Sequence, residues 1–183
     1  MIVALAILWL VFYGFWLISA IGVKKAVRGQ AGWRAARLRL LFIIAAVFLS
    51  RLLHIRRIMP AMSHSRAAGV LGLTICASGL AFATWARLHL GRNWGLPMSL
   101  KEGHELVMTG PYRYVRHPIY TGILAALLGS ALVAGPLWFI VFLIFCPYFI
   151  FSATVEEKLM MRQFPNEYPE YRKRTNRLIP FVW

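Results

Sequence analysis

Five long apolar runs alternate with polar segments along this 183-residue chain. The runs are Met1–Val23, Leu40–Ile55, Ala67–Ala86, His117–Ala134 and Leu137–Ala153. Apolar runs of about this length are typical of helices that cross a lipid bilayer. The pattern therefore predicts an all-α integral membrane bundle of about five transmembrane helices, with a long loop and a polar C-terminal segment outside the apolar runs.

Two local features indicate how these helices pack. The third run carries small residues at helical spacing, which favours close contact with another helix: Gly69, Gly72, Ala77, Gly79 and Ala83. Gly135 and Pro136 separate the fourth run from the fifth by only a tight turn, which predicts a helical hairpin. The start of the fourth helix and the end of the fifth should then lie side by side.

Basic residues are distributed unevenly between the two ends of the apolar runs. The segments Lys24–Arg39, Arg87–Arg116 and Thr154–Trp183 together hold 17 of the 21 lysines and arginines. The positive-inside rule places these three segments in the cytoplasm, with the N-terminus outside and the C-terminus inside. The first run has no basic leader and no small-residue cleavage site, so we expect a retained span. The expected residence is a prokaryotic inner membrane.

The composition of the chain indicates whether its partners are membrane lipids or nucleic acids. The chain is 60% hydrophobic, has 15% charged residues and carries a formal net charge of +15, whereas a soluble domain has about a quarter charged residues. The charge lies at the ends of apolar runs, which favours membrane lipids over nucleic acid. Cys76 and Cys146 lie inside apolar runs, so we interpret them as core residues.

The densest group of polar and ring-bearing residues is G-P-Y-R-Y-V-R-H-P-I-Y-T-G, from Gly110 to Gly122. Pro118 suits the first turn of a helix that begins near His117. The positive end of that helix, with Arg113 and Arg116 beside it, favours an anionic group. The stretch predicts a rigid loop that gathers polar groups at the mouth of a transmembrane helix. The alternative is a basic loop that only sets topology.

Carboxylates are scarce in this chain, which has six acidic residues in total. Glu156 and Glu157 directly follow the fifth run, so the hairpin should bring them close to Arg116 and His117. This mixture of groups suits a zwitterionic ligand with a carboxylate, an amine and an aromatic ring. The alternative is that Thr154 caps a helix whose solvated first turn contains the two glutamates.

Other site chemistries have little support in the sequence. There is no His-x-x-x-His and no cysteine pair at ligand spacing, so we expect no metal site. No Ser, Cys or Thr is flanked by an evident base for nucleophilic catalysis. The sequence also has no G-x-G-x-x-G or Walker loop for a nucleotide.

Three elements together resemble the signature of a known family. They are the Gly110–Gly122 stretch, L-G-R-N-W-G at Leu90–Gly95, and the tail V-E-E-K-L-M-M-R-Q-F-P-N-E-Y-P-E-Y-R-K-R-T-N-R-L-I-P. In this order they look like the isoprenylcysteine carboxyl methyltransferases and related membrane phospholipid methyltransferases. The resemblance covers Leu90–Trp183, and the first two spans match only as generic hydrophobic helices.

The resemblance implies a single membrane domain, residues 1–183, in which three helices (1–86) precede a catalytic part (87–183). It implies an enzyme that binds S-adenosylmethionine at the cytoplasmic helix ends and takes a lipophilic acceptor from the bilayer. It assigns catalysis to Arg116 and Glu157, and a lid to Tyr168, Tyr171 and Arg172. The implied cofactor-binding residues are His104, Gly110, Pro111, Tyr112, Arg113, His117, Tyr120, Gly122, Glu156 and Glu157.

The sequence allows more than one methyl acceptor and more than one class of function. Phe151–Thr154 stands where the eukaryotic prenylcysteine enzymes have a basic residue. The acceptor is therefore an isoprenylcysteine-like carboxylate or another lipid carboxylate, thiol or amine. The ending R-L-I-P-F-V-W is similar to that of NADPH-dependent membrane sterol reductases, which is a second candidate. A third is a non-enzymatic adaptor that holds anionic lipid on its basic surfaces.

Overall fold

A computed structural model of the protein describes residues 1–19, 65–94 and 105–179. These ranges form five helices: α1 (Ile2–Ser19), α2 (Arg66–Leu90), α3 (Pro118–Ala134), α4 (Pro136–Gln163) and α5 (Glu167–Arg174). Two short 3-10 turns, Gly91–Asn93 and Gly110–Arg113, flank the loop between α2 and α3. The described ranges contain no strand beyond one isolated parallel bridge between Val115 and Asn176. The predicted all-α class is therefore confirmed.

Three of the described helices, α1, α2 and α4, are long and apolar enough to cross a membrane. Helix α3 is also apolar but shorter, with 17 residues, at the lower end of spanning lengths. The length and apolar composition of these helices indicate that the chain is an integral membrane protein. The predicted second span, Leu40–Ile55, and the connector Lys24–Arg39 lie outside the described residues.

Helices α2 and α3 make the closest helix contact, at two pairs of glycines. A Cβ atom on Gly79 would lie 2.5 Å from the Gly122 carbonyl oxygen, and one on Gly129 would lie 2.5 Å from the Gly72 oxygen. In each helix the two glycines are seven residues apart, so they share one face over two turns. Small residues allow this approach between backbones, as the sequence predicted for the third run.

Helix α1 packs on the bundle through aromatic residues and one polar contact. The Trp9 indole Nε1 donates to Ser130 Oγ on α3 at 3.0 Å, which satisfies a buried donor that apolar surroundings would penalise. The Trp9 ring also stacks on Trp138 of α4, with centroids 5.5 Å apart. Helix α1 is thereby fixed against both arms of the hairpin.

Helix α4 continues through the predicted end of the fifth span at Ala153 and reaches Gln163. The prediction that Thr154 caps a new helix is wrong, because the Thr154 hydroxyl donates to the Ile150 carbonyl one turn earlier, at 2.9 Å. Glu156 and Glu157 consequently lie inside a long helix and not in a first turn. The change from apolar to polar residues after Ala153 does not end the helix, since Glu, Lys, Leu and Met are good helix formers.

The C-terminal segment folds back on the loop that precedes α3. The backbone N–H of Arg116 donates to the Asn176 carbonyl at 2.9 Å, and that of His117 donates to the Arg177 carbonyl at 3.1 Å. The buried Tyr171 hydroxyl donates to the Tyr112 carbonyl at 2.7 Å. This backbone pairing fixes the position of the loop against the tail.

We expect Gly79→Ala to destabilise the bundle by about 1–3 kcal/mol, because the added methyl group overlaps the backbone of α3. Unfolding of the purified protein in detergent would measure the loss. Gly14→Ala is the matched control, since no atom lies within 4 Å of its added Cβ. Equal stability of the two variants would contradict the proposed helix contact.

Candidate functional site

A cavity of about 380 Å³ opens between α1, the loop before α3, and the ends of α4 and α5, a size within the usual range of small-molecule sites. Half of the residues lining it are aromatic: Trp9, Phe12, Tyr13, Trp16, Trp94, Tyr112, Tyr120, Phe145, Tyr148, Phe149, Tyr168 and Tyr171. Arg116, His117 and Glu156 add charged groups. The cavity, called the aromatic cavity below, is thus apolar along α1 and α4 and polar beside His117.

His117 and Pro118 form the start of α3, as the sequence predicted. His117 is the N-cap residue and Pro118 occupies the first turn, where its missing N–H removes no helical hydrogen bond. The His117 side chain makes no capping hydrogen bond. Its ring turns instead to the acidic residues of α4, with Nδ1 3.4 Å from Glu156 and Nε2 3.5 Å from Glu157.

Three rings form a continuous stack at the polar end. The His117 and Tyr120 rings are nearly parallel, with centroids 5.5 Å apart. The Tyr120 and Phe149 rings follow with centroids 4.5 Å apart. The stack joins the start of α3 to α4 and leads from the charged end of the aromatic cavity towards its apolar end.

Glu156 is the carboxylate of the acidic pair that lines the aromatic cavity. It accepts a hydrogen bond of 2.5 Å from the Tyr120 hydroxyl, and its side chain is 23% exposed. Glu105, from the loop, also lines the cavity and accepts a 3.4 Å bond from Asn93. A cationic group of a ligand beside Glu156 or Glu105 would therefore meet carboxylate oxygens.

Glu157 lies behind the cavity wall, with only 5% of its side chain exposed. Its Oε1 accepts from Arg116 Nε at 2.8 Å, and its Oε2 pairs with Arg177 Nη2 at 3.0 Å. Arg172 Nε lies 4.0 Å away. Arg116 also donates from Nη1 to the Thr175 and Arg172 carbonyls. Together these contacts hold the tail on the loop and on α4.

The charge of His117 follows from its neighbours. Burial by itself lowers the pKa of the imidazole, but hydrogen bonds and charge interactions with Glu156 and Glu157 raise it, and the net shift is upwards from 6.5. A protonated ring donates from both nitrogens. The two carboxylates, at 3.4 Å from Nδ1 and 3.5 Å from Nε2, therefore favour the protonated form of His117.

The structure brings together some of the residues assigned by resemblance and separates others. Tyr112, Arg116, His117, Tyr120 and Glu156 line the aromatic cavity. Pro111 is fully buried within the Gly110–Arg113 turn and does not line the cavity. Arg113 is exposed and does not line the cavity either. His104 lies outside the described residues.

Two glycines from that assignment have packing roles in the described structure. Gly110 has a φ of +59° and lies against the His89 ring, a backbone conformation that favours glycine. Gly122 lies at the α2–α3 contact, where its added Cβ would be 2.5 Å from the Gly79 oxygen. Neither glycine lines the aromatic cavity.

The contribution of α1 to the site was not predicted from the sequence. Trp9, Phe12, Tyr13 and Trp16 follow the i, i+3, i+4, i+7 spacing of one helix face, and all four line the cavity. This spacing is the sequence feature that indicates an aromatic face on α1. Arg87 was also missed: its guanidinium donates to the Ser19 and Gly91 carbonyls and lies 4.5 Å from the Trp94 ring centroid.

Two curated relatives are each similar to this chain over about 60% of its length. Protein-S-isoprenylcysteine O-methyltransferase of Saccharomyces cerevisiae is 32% identical over 117 residues, covering 62% of this chain and 49% of the yeast protein. The nickel-cobalt-cadmium resistance protein NccN of Alcaligenes xylosoxydans xylosoxydans is 31% identical over 111 residues, covering 59% of this chain and 49% of NccN. The chain thus spans about half the length of these curated relatives.

The fold is similar to that of the eukaryotic intramembrane Ras methyltransferase ICMT (isoprenylcysteine carboxyl methyltransferase), with a TM-score of 0.60 and 21% sequence identity. The match covers 85% of this chain and 55% of that protein. The family model for phospholipid methyltransferases matches residues 67–167, which is more than half of the chain. That segment carries α2, α3, α4 and the acidic pair, and the chain belongs to the phospholipid methyltransferase family.

Proposed function

We propose that this protein is a membrane methyltransferase that uses S-adenosylmethionine and methylates a lipophilic acceptor. The observation that carries the proposal is the aromatic cavity, whose apolar end lies among membrane-length helices and whose polar end holds Glu156, His117 and Tyr120. Family membership supports the same reaction class. The acceptor is an isoprenylcysteine-like carboxylate or another lipid carboxylate, thiol or amine.

The residues present fit this cofactor. Glu156 offers carboxylate oxygens to an ammonium group or to ribose hydroxyls. The surrounding tyrosine and tryptophan faces suit a sulfonium cation and a purine ring. Arg116 donates from Nε to Glu157 and from Nη1 to two carbonyl groups of the tail. We therefore assign Arg116 and Glu157 to positioning the tail, and Glu156 and His117 to the ligand.

The bound cofactor would supply an electrophilic methyl group. The residues of this chain would hold the acceptor in line with that group and exclude water, because an ionised carboxylate or thiolate needs no general base. Tyr168 and Tyr171 of α5 line the cavity from the tail side. We propose that they form the lid predicted for the C-terminal segment.

The charge at the polar end favours this proposal over an NADPH-dependent reductase. A dinucleotide carries several phosphate charges, whereas the described cavity offers Arg116 and His117 already paired with Glu157 and Glu156. A pure lipid adaptor would leave the carboxylate-lined end of the cavity without a role. Among the described residues, no group of His, Cys, Asp or Glu side chains is placed to hold a metal ion.

We also propose the topology that the basic residues indicate. The loop before α3 and the tail would lie in the cytoplasm, with the N-terminus on the other side. The polar end of the aromatic cavity would then face the compartment that contains the soluble cofactor, while its apolar end would face the bilayer.

We expect Glu156→Gln to weaken S-adenosylmethionine binding at least about tenfold, because a charge-assisted contact becomes a neutral one. Titration of the purified protein with labelled cofactor, followed by methyl transfer to membrane lipid extract, would measure the effect. Glu167→Gln is the control, since Glu167 is exposed and outside the cavity. Wild-type affinity in Glu156→Gln would contradict the assignment.

We expect Glu157→Gln to act mainly on stability, with a loss of about 3–5 kcal/mol, because it leaves the buried Arg116 and the partly buried Arg177 without their carboxylate. Thermal unfolding in detergent would show the loss, and proteolysis would show release of the tail. Glu170→Gln removes an exposed partner of Lys173 and should leave the unfolding temperature unchanged. A Glu157→Gln protein with wild-type stability would contradict the stabilising role of the Glu157 ion pairs.

The raised pKa of His117 predicts a pH effect on stability. The protonated ring stabilises the folded state fully below its unfolded pKa of 6.5, and this contribution disappears as the pH rises through the higher folded value. The unfolding temperature should therefore fall more steeply above neutral pH in the wild type than in His117→Gln. Parallel pH profiles for the two proteins would contradict a cationic His117.

A further inference from the structure

A second concavity of about 390 Å³ lies beside the tail and shares no lining residue with the aromatic cavity. Four basic side chains surround it, contributed by α4, α5 and the segment after α5. The lining residues are Thr154, Glu157, Lys158, Met161, Arg162, Arg172 and Arg177. We call this feature the basic concavity. The proposed methyl transfer does not require it.

The basic concavity carries a surplus of positive charge. Its one carboxylate, Glu157, is buried and already contacts Arg116, His117 and Arg177. Arg172 lies 4.0 Å from that carboxylate and keeps 52% of its side chain exposed. Within the described ranges, Lys158 and Arg162 have no acidic side chain at ion-pair distance. An anion entering here would meet several cations at once.

The location of the basic concavity indicates the source of that anion. Lys158 lies seven residues after Phe151, which is 62% exposed on the apolar surface of α4. Seven residues are two helical turns, so Lys158 is on the same face about 10 Å further along, and Arg162 follows one turn later. Basic side chains just beyond a bilayer-facing apolar surface lie at the depth of lipid headgroups.

We propose that the basic concavity binds a phosphate group, supplied by the headgroup of an anionic phospholipid. The guanidinium forks of Arg162 and Arg172 match phosphate oxygens in pairs, and Lys158 adds a point charge. Arg172 and Arg177 belong both to this concavity and to the surroundings of Glu157. Headgroup binding therefore also stabilises the tail against α4. The site is independent of the proposed methyl transfer.

The test uses the full-length protein in a neutral detergent, titrated with fluorescent phosphatidylglycerol. In Lys158→Gln/Arg162→Gln we expect affinity to fall about tenfold or more, because each basic residue near a headgroup contributes several-fold. The matched control is Lys173→Gln/Arg174→Gln, which removes the same charge from exposed positions outside the concavity. It should bind nearly as tightly as the wild type. Arg162→Gln alone provides a milder variant if the double variant unfolds.

Two competitors identify the source of the phosphate. Competition by unlabelled phosphatidylglycerol, with little from phosphatidylcholine or millimolar inorganic phosphate, supports a lipid headgroup. Competition by inorganic phosphate at a similar concentration supports a phosphate site that soluble anions fill. Equal losses in both double variants would show that general surface charge binds the lipid and would overturn the proposal. Undiminished binding in Lys158→Gln/Arg162→Gln would overturn it as well.

Discussion

The buried carboxylate of Glu157 is the interaction on which the rest of the site depends. It joins Arg116 of the loop, Arg177 of the tail and its own helix α4 through contacts of 2.8 and 3.0 Å. A buried ion is tolerated only when its partners compensate for lost hydration, and here several cations surround one acid. This cluster fixes three segments that are distant in sequence, so the walls of the aromatic cavity have defined positions.

Helical geometry explains why two adjacent glutamates have different surroundings. Consecutive residues on a helix point about 100° apart, so Glu156 and Glu157 cannot share one environment. Glu156 lines the aromatic cavity beside Tyr120, and Glu157 points to the tail. His117 touches both acids. It therefore connects the ionic cluster around Glu157 with Glu156, the carboxylate that lines the aromatic cavity.

The sequence predicted the helix class, the hairpin, the small-residue face of α2 and the closeness of His117 to the acidic pair, because these follow from periodicity and short turns. It did not predict that α4 extends to Gln163, since a polarity change marks where apolar surroundings end and not where backbone hydrogen bonding ends. The aromatic wall from α1 and the placement of Gly122 at a helix contact depend on tertiary packing, which spacing alone does not determine.

The aromatic cavity combines two environments that separate sites would not provide. Trp9 and Phe12 belong to a helix of membrane-spanning length, whereas Glu156 and His117 lie where α3 begins and α4 becomes polar. In the proposed reaction, a lipophilic acceptor would therefore bind at the apolar end and a polar cofactor at the polar end of the same cavity. Because His117 lies between two carboxylates and Arg116 is paired with Glu157, the polar end has little unpaired charge. That balance suits a zwitterion better than a polyanion.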